Sequence, residues 1–325
     1  MPHLHGSLWR TLRLARIDKL VRFGLGSMAL WLSHCATPIK SPEPLRSADP
    51  PKVCDSCADW NKPHAPFRIF GNTYYVGVQG LSAVLIDGGD GLVLIDGGLS
   101  QSAPLIAKNI ESLGFRIKQV RWIVSSHPHY DHVGGIAALQ RWSGAKVAAS
   151  PRGVEALRSG TVPPDDPQAA FGVSAMGFPA VSSVETIVEG AAVEAGNVSV
   201  TVHYTPGHTP SGTSWSWRSC EGSRCVHVVY VDSLNPVSAP GFRFTQSPER
   251  MAEFRSSIAK VRSLPCDIVI SAHPGFSSLF ERWEASQRSR SRESFVTPSG
   301  CTEYAADAEQ RLTNRLAEEQ QANQP

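Results

Sequence analysis

Short apolar runs punctuated by glycine come first in this chain, longer mixed stretches follow, and the order then recurs. Thr73–Val78, Leu81–Ile86 and Leu92–Ile95 are rich in Val, Ile, Leu and Tyr, which predicts three strands. Asp87-Gly-Gly-Asp-Gly91 can supply the positive φ angles of a tight reversal between the last two. Ile86-Asp-Gly-Gly89 is echoed by Ile95-Asp-Gly-Gly98, which fits consecutive strand ends better than a repeat. A helix is predicted from Ser102, as N-cap, to Leu113, with Gly114 as its stop, followed by a short buried strand, Val120–Val124. The second half offers strands at Val198–Tyr204, Thr213–Trp217 and Val226–Val231, a helix at Pro248–Ser263 and a strand at Asp267–Ile270. Two halves of strands followed by helices predict an α/β protein, sheet packed on sheet with helices on both outer faces.

Other stretches break this rhythm. Residues 160–178, with Pro163-Pro-Asp-Asp-Pro167, are long and irregular for the interior of a domain and are expected to form a lid. Glu303–Gln321 is expected to be a charged, solvated surface helix, and Arg282, Arg288, Arg290 and Arg292 a solvated basic face. At the start, Arg10, Arg13, Arg16, Lys19 and Arg22 precede an apolar run from Phe23 to Leu32, the order of a secretory signal. That run is about half the roughly 20 residues a membrane-spanning helix needs. Export with cleavage near Ala36 is the expectation; acylation of Cys35 is an alternative, opposed by the bulk of His34 before it, and an uncleaved anchor or a misplaced start are others. Residues 37–66, with seven prolines, are expected to be an extended arm, leaving 67–325 as a single domain.

Composition narrows the function. With 41% hydrophobic and 18% charged residues over 325 positions, the chain is too apolar for disorder and too polar for a polytopic membrane protein. A formal charge of +2 gives little field to attract nucleic acid. The seven cysteines become six if Cys35 leaves with the signal, an even count suited to an oxidising compartment. Cys220 and Cys225 flank Glu-Gly-Ser-Arg and could staple a hairpin; Cys266 would then pair with Cys301, leaving Cys54 and Cys57 for each other. Half a zinc site or a redox pair is the rival reading of Cys54-x-x-Cys57.

The chemistry concentrates in Ser125-Ser-His127-Pro-His129-Tyr-Asp131-His132-Val-Gly-Gly135, directly after the Val120–Val124 strand. Three histidines and an aspartate in six residues at a strand end point at one spot, and imidazole nitrogen with carboxylate oxygen suits Zn²⁺. His127 and His129 alternate on one face of an extended segment, while Asp131 and His132 diverge, so one loop can serve two metals. His208 in Thr205-Pro-Gly-His-Thr-Pro and His273 in Ser271-Ala-His-Pro-Gly also follow apolar strands and are braced by Pro and Gly. His3, His5, His34, His64, His203 and His227 lack such settings and are taken as ordinary surface or core residues.

These residues resemble the metallo-β-lactamase superfamily, whose His-x-His-x-Asp-His signature stands here as His127-Pro-His-Tyr-Asp-His132, with His208 and His273 as later ligands. Thr205-Pro-Gly-His-Thr-Pro, Thr213-Ser-Trp-Ser-Trp217, Asp232-Ser-Leu234, Ser238-Ala-Pro-Gly-Phe242 and His273-Pro-Gly275 make it most similar to subclass B3, over roughly residues 54 to 315. The resemblance implies an αββα sandwich, a Cys266–Cys301 bridge and two Zn²⁺, one held by His127, His129 and His208, the other by Asp131, His132 and His273. It implies hydrolysis of a β-lactam amide by a hydroxide shared between the metals and oriented by Asp131, without an acyl-enzyme, and assigns the substrate carboxylate to Ser233 and Ser238. The extra residues Asn235-Pro-Val237 put the place of Ser238 in question. The expected enzyme is periplasmic and monomeric, acts on a small-molecule β-lactam, binds no nucleic acid and has no stable membrane association after signal cleavage. The alternative is a thioester or lactone hydrolase of the same superfamily with Asp232 as bridging ligand, which requires the Val226–Val231 strand in the opposite register.

Overall fold

Alternate residues of the glycine-punctuated strands enter different apolar clusters, and this alternation builds the layers. The structure, a computed structural model, describes residues 47–322. The expected signal, Cys35 and the first part of the expected arm lie outside the described residues. One sheet has the order β1 (Phe67–Phe70), β2 (Thr73–Tyr75), β3 (Val84–Asp87), β4 (Leu92–Ile95), β5 (Val120–Val124), β6 (Lys146–Ala149) and β7 (Glu185–Thr186). The other comprises β8 (Ala192–Ala195), β9 (Val198–Tyr204), β10 (Thr213–Glu221), β11 (Arg224–Val231) and β12 (Ile268–Ser271), lying side by side in the order β12-β11-β10-β9-β8.

Val84, Ile86, Val93 and Ile95 from the first sheet meet Val226, Val228 and Tyr230 from the second in the cluster between the sheets. Their neighbours Leu85, Leu92 and Leu94 face outward against the helices Ala103–Ser112 and Ile136–Ser143. On the other side Val229 and Val231 pack on the helices Pro248–Ser263 and Gly300–Gln321. The result is the αββα sandwich, in which the helices cover the outer face of the second sheet over β11 and β12, while Glu194, Ser199 and Arg218 on β8–β10 stay exposed.

The structure refines several expected elements. Thr73–Val78 is strand only to Tyr75, because the Tyr75 hydroxyl donates to Val78 O and Leu81 O and closes a buried turn before β3. Ser102 does not cap the following helix; its hydroxyl accepts from Leu99 N at 3.0 Å and donates to Asn61 at 2.6 Å, closing a preceding 3₁₀ turn. The C-terminal helix is not a solvated one: Cys301, Tyr304, Ala305, Ala308 and Leu312 form a buried stripe. Arg282 likewise turns inward, bonding Ser277 O and Thr297 Oγ1. Among the described residues, no helix is long and apolar enough to cross a membrane.

Three disulfides join Cys54 to Cys57, Cys220 to Cys225 and Cys266 to Cys301. The second pair sits directly opposite across the β10–β11 hairpin. The third, with a sequence separation of 35, ties the approach to β12 to the C-terminal helix. Replacing Cys266 and Cys301 by alanine is expected to lower stability by about 3 kcal/mol, seen as a fall in the urea midpoint.

Candidate metal centre

Strand direction decides where the chemistry gathers. β4, β5 and β6 run parallel, β11 and β12 run parallel, and β9 shares the direction of β11 because both are antiparallel to β10. The loops that follow β4, β5, β9, β11 and β12 meet at one rim of the sandwich and bring Asp96, the His127–His132 segment, His208, Asp232 and His273 together.

The His127–His132 loop is fastened from both sheets. Asp96, buried and at φ 63°, accepts from Ser126 N at 2.6 Å, Ser126 Oγ at 2.8 Å and Tyr230 OH at 2.7 Å. From the second sheet, Thr213 N donates to Ser126 O at 2.7 Å and Trp215 Nε1 to Ser125 O at 2.9 Å. Trp215 and Trp217 are therefore core residues beneath the site; the second donates to Thr73 Oγ1.

Each of the five motif histidines turns one nitrogen to an oxygen. His127 Nδ1 faces Asp232 at 2.7 Å, His208 Nδ1 faces Asn235 O at 2.6 Å, and His273 Nδ1 faces Gly80 O at 3.1 Å. His132 Nδ1 lies 3.4 Å from Asp96, and His129 Nε2 lies 3.3 Å from both oxygens of Asp166. Such partners fix the tautomer and leave the opposite nitrogen as a lone-pair donor. Donor atoms of His127, His129 and His208 fall within 4.8 Å of one another, as do those of His127, Asp131 and His132. His273 joins the second group through Nε2, 3.3 Å from His132 Nε2 and 3.4 Å from Asp131 Oδ2.

This arrangement fits a metal ion. His132 and His273 present facing nitrogens 3.3 Å apart while their other nitrogens point at acceptors, so a cation belongs between them. Burial depresses the pKa of His132, but Asp131 and Asp96 prevail and raise it to about 10. Burial works against ionisation of Asp131, yet His132 and His273 hold its carboxyl well below the usual range. Burial and the neighbouring imidazole of His129 push His208 down to about 3, which keeps it a neutral ligand. The carboxylates of Asp131 and Asp96 favour a positive charge at His132, and a metal ion bound there would take the place of the proton, because a ligating imidazole must be deprotonated.

Above these donors opens a cleft of about 590 Å³. Trp60, Met176, Val237 and Phe276 supply apolar walls, with Gln168, Ser233 and Asn235 as polar points. Ser233 Oγ is buried and has no hydrogen-bond partner among the described residues. Ser238 is not brought into the cleft: its hydroxyl accepts from Arg315 at 2.7 Å and lines a neighbouring cavity. The turn at Asn235-Pro-Val237 carries it away. Asp232 does not bridge the donor groups; it stands behind His127, and its second oxygen is packed so tightly that a Cβ on Gly212 would lie 2.2 Å from it.

Sequence reasoning missed Trp60, Asp166, Gln168 and Asn235. Trp60 ends the short helix begun by Cys57, and its ring centroid lies 5.4 Å from that of His273. Asp166 and Gln168 come from the 160–178 stretch, which covers one side of the cleft. Lys52 Nζ pins that stretch to the arm, donating to Ser174 O and Gly177 O at 3.0 Å and lying over the Tyr130 ring. An acidic pair set between prolines was the available signal for Asp166.

A family model described as the metallo-beta-lactamase superfamily matches residues 76–221. Among solved structures, the Rm3 metallo-beta-lactamase is 49% identical, with 83% of this chain and 100% of that one covered at a TM-score of 0.79. MEM-A1, a subclass B3 metallo-beta-lactamase from a soil metagenome library, is 45% identical over 82% of this chain and 100% of its own, at a TM-score of 0.78. A hydroxyacylglutathione hydrolase of Anaeromyxobacter dehalogenans is 30% identical over 156 residues, 48% of this chain; the match spans about half of that relative, 47%. The chain belongs to the metallo-β-lactamase superfamily, and within it is most like the subclass B3 enzymes.

Proposed function

We propose that this chain is a zinc-dependent β-lactamase, opening the lactam amide by direct attack of water. The observation that carries the reading is the convergence of five imidazoles and Asp131 beneath an apolar cleft, in a chain 49% identical to a metallo-β-lactamase. His127, His129 and His208 would hold one Zn²⁺, and Asp131, His132 and His273 a second. Zinc supplies Lewis acidity, polarising a carbonyl and bringing the pKa of water down toward neutrality.

The chain's own residues do the rest. Asp131, kept ionised by its two imidazole neighbours, is the carboxylate at the point of convergence and would orient the attacking water. The unpartnered hydroxyl of Ser233 and the side chain of Asn235 take the carboxylate that β-lactams carry, Asn235 replacing Ser238 in that role. Trp60, Met176, Val237 and Phe276 shield the reacting bond from bulk water. Ser233 has no base within hydrogen-bond reach, so a serine acyl-enzyme has no support. Thioester hydrolysis, suggested by the hydroxyacylglutathione hydrolase match, is disfavoured as the main activity because Asp232 engages the outer nitrogen of His127 rather than standing between the two donor groups. The basic and apolar order of Arg10–Leu32 supports export to the periplasm, with residues 1–36 removed and 67–325 as the catalytic domain.

The purified mature chain is expected to hold two zinc ions, hydrolyse a carbapenem and lose that activity to a chelator. A panel of β-lactams, a thioester and a lactone decides the matter. Turnover of the thioester or lactone by zinc-loaded protein, with no β-lactam opened, would refute the assignment.

A further inference from the structure

We propose that Asp166 is a positioning residue of the metal site, orienting His129 and making the 160–178 stretch a support of the metal as well as a wall of the cleft. The inference rests on the two-zinc reading above. The Asp166 side chain is fully enclosed, and both its oxygens stand 3.3 Å from His129 Nε2. Its other hydrogen bond is accepted from Gln168 N at 2.8 Å. The adjacent Asp165 takes Arg152 and Arg250, so the described ion pairs give Asp166 no partner but His129. A buried carboxylate is costly unless paired or hydrogen-bonded, and here both needs point at one ring.

The consequence for the ring is chemical. A proton drawn to Nε2 by Asp166 leaves Nδ1 as the lone-pair nitrogen toward His127 and His208, and outer carboxylates of this kind also raise ligand basicity. The consequence for the cleft is mechanical. One residue on, Pro167 O accepts from Ala239 N at 2.9 Å, and the Gln168 and Met176 side chains line the cleft. The carboxylate that steadies His129 thus sits in the same short turn as the cleft wall, and a shift of that wall reaches the ligand through one side chain.

Zn²⁺ titration of the wild type, Asp166→Asn and Asp166→Ala against a chromophoric chelator tests this, alongside the melting temperature of each metal-free protein. A wild type that takes fewer than two ions removes the two-zinc reading itself. Given two, Asp166→Ala is expected to weaken one of them by about 10- to 100-fold and leave the other unchanged. Asp166→Asn, which keeps an acceptor for Nε2–H, is expected to lose less. Equal affinities in all three proteins would overturn the proposal, as would equal weakening of both ions in step with a lower metal-free melting temperature. Should Asp166→Ala not fold, the isosteric Asn variant decides: a selective loss at one site supports the proposal, and no loss overturns it.

Discussion

His273→Ala is expected to lower the turnover of a β-lactam by about 10³-fold and to remove one of the two proposed zinc ions. The figure follows from Lewis-acid stabilisation of several kcal/mol at roughly 1.4 kcal/mol per decade. Of the proposed ligands, His273 is the suitable one to remove because its side chain is 22% exposed and lies against Trp60, so truncation leaves no deep cavity. Deleting a fully buried ligand such as His132 would mix lost chemistry with lost packing and with the strain of leaving Asp96 and Asp131 facing each other. Zinc per chain by mass spectrometry, kcat, and the melting temperature of metal-free protein separate the two effects. Full zinc content with unchanged turnover would remove His273 from the site.

Asp96→Ala is expected to cost about 4 kcal/mol, the largest effect on stability foreseen here. Three buried donors, Ser126 N, Ser126 Oγ and Tyr230 OH, lose their acceptor together, each at about 1–3 kcal/mol. Alanine must also adopt the left-handed φ of 63°, which aspartate and asparagine tolerate better. Asp96→Asn keeps the backbone preference and one acceptor, and should retain more than half of the lost stability. Urea unfolding of metal-free protein gives both values. A drop below about 1 kcal/mol for the alanine variant would show that the His127–His132 loop is held chiefly from the second sheet, through Thr213 and Trp215.

The convergence of the motif histidines was legible because each is marked locally in sequence. Strand ends, Pro and Gly fix the backbone around each, and convergence then needs only parallel strands. Helix Pro248–Ser263 was legible for the same reason, with proline at its start and apolar residues on one face. Legibility failed where a residue's role depends on a distant partner. Nothing near Asp166 in the chain names His129, and nothing near Trp60 names His273. Strands β6 and β8 were passed over because Lys146–Ala149 and Ala192–Ala195 are short and alanine-rich, with small side chains that give a weak alternation. The C-terminal helix hid its buried stripe behind the charge of its other face, since alanine at positions 305 and 308 packs as well as a larger residue where helices approach closely. Ser238 was misplaced because the course of a proline-containing loop has no period to read.

Strand β10 starts at Thr213 on the rim where the motif histidines gather and runs for nine residues to Glu221 at the opposite end of the sandwich. At about 3.3 Å per residue, the stapled tip Gly222-Ser223 lies on the order of 25–30 Å from the cleft. Cys220–Cys225 closes the loop beneath that tip. An inserted peptide, a fluorophore or a surface tether at Gly222-Ser223 would therefore leave the mouth of the enzyme facing away from its support, so this tip is the natural handle for an immobilised or sensor form of the protein.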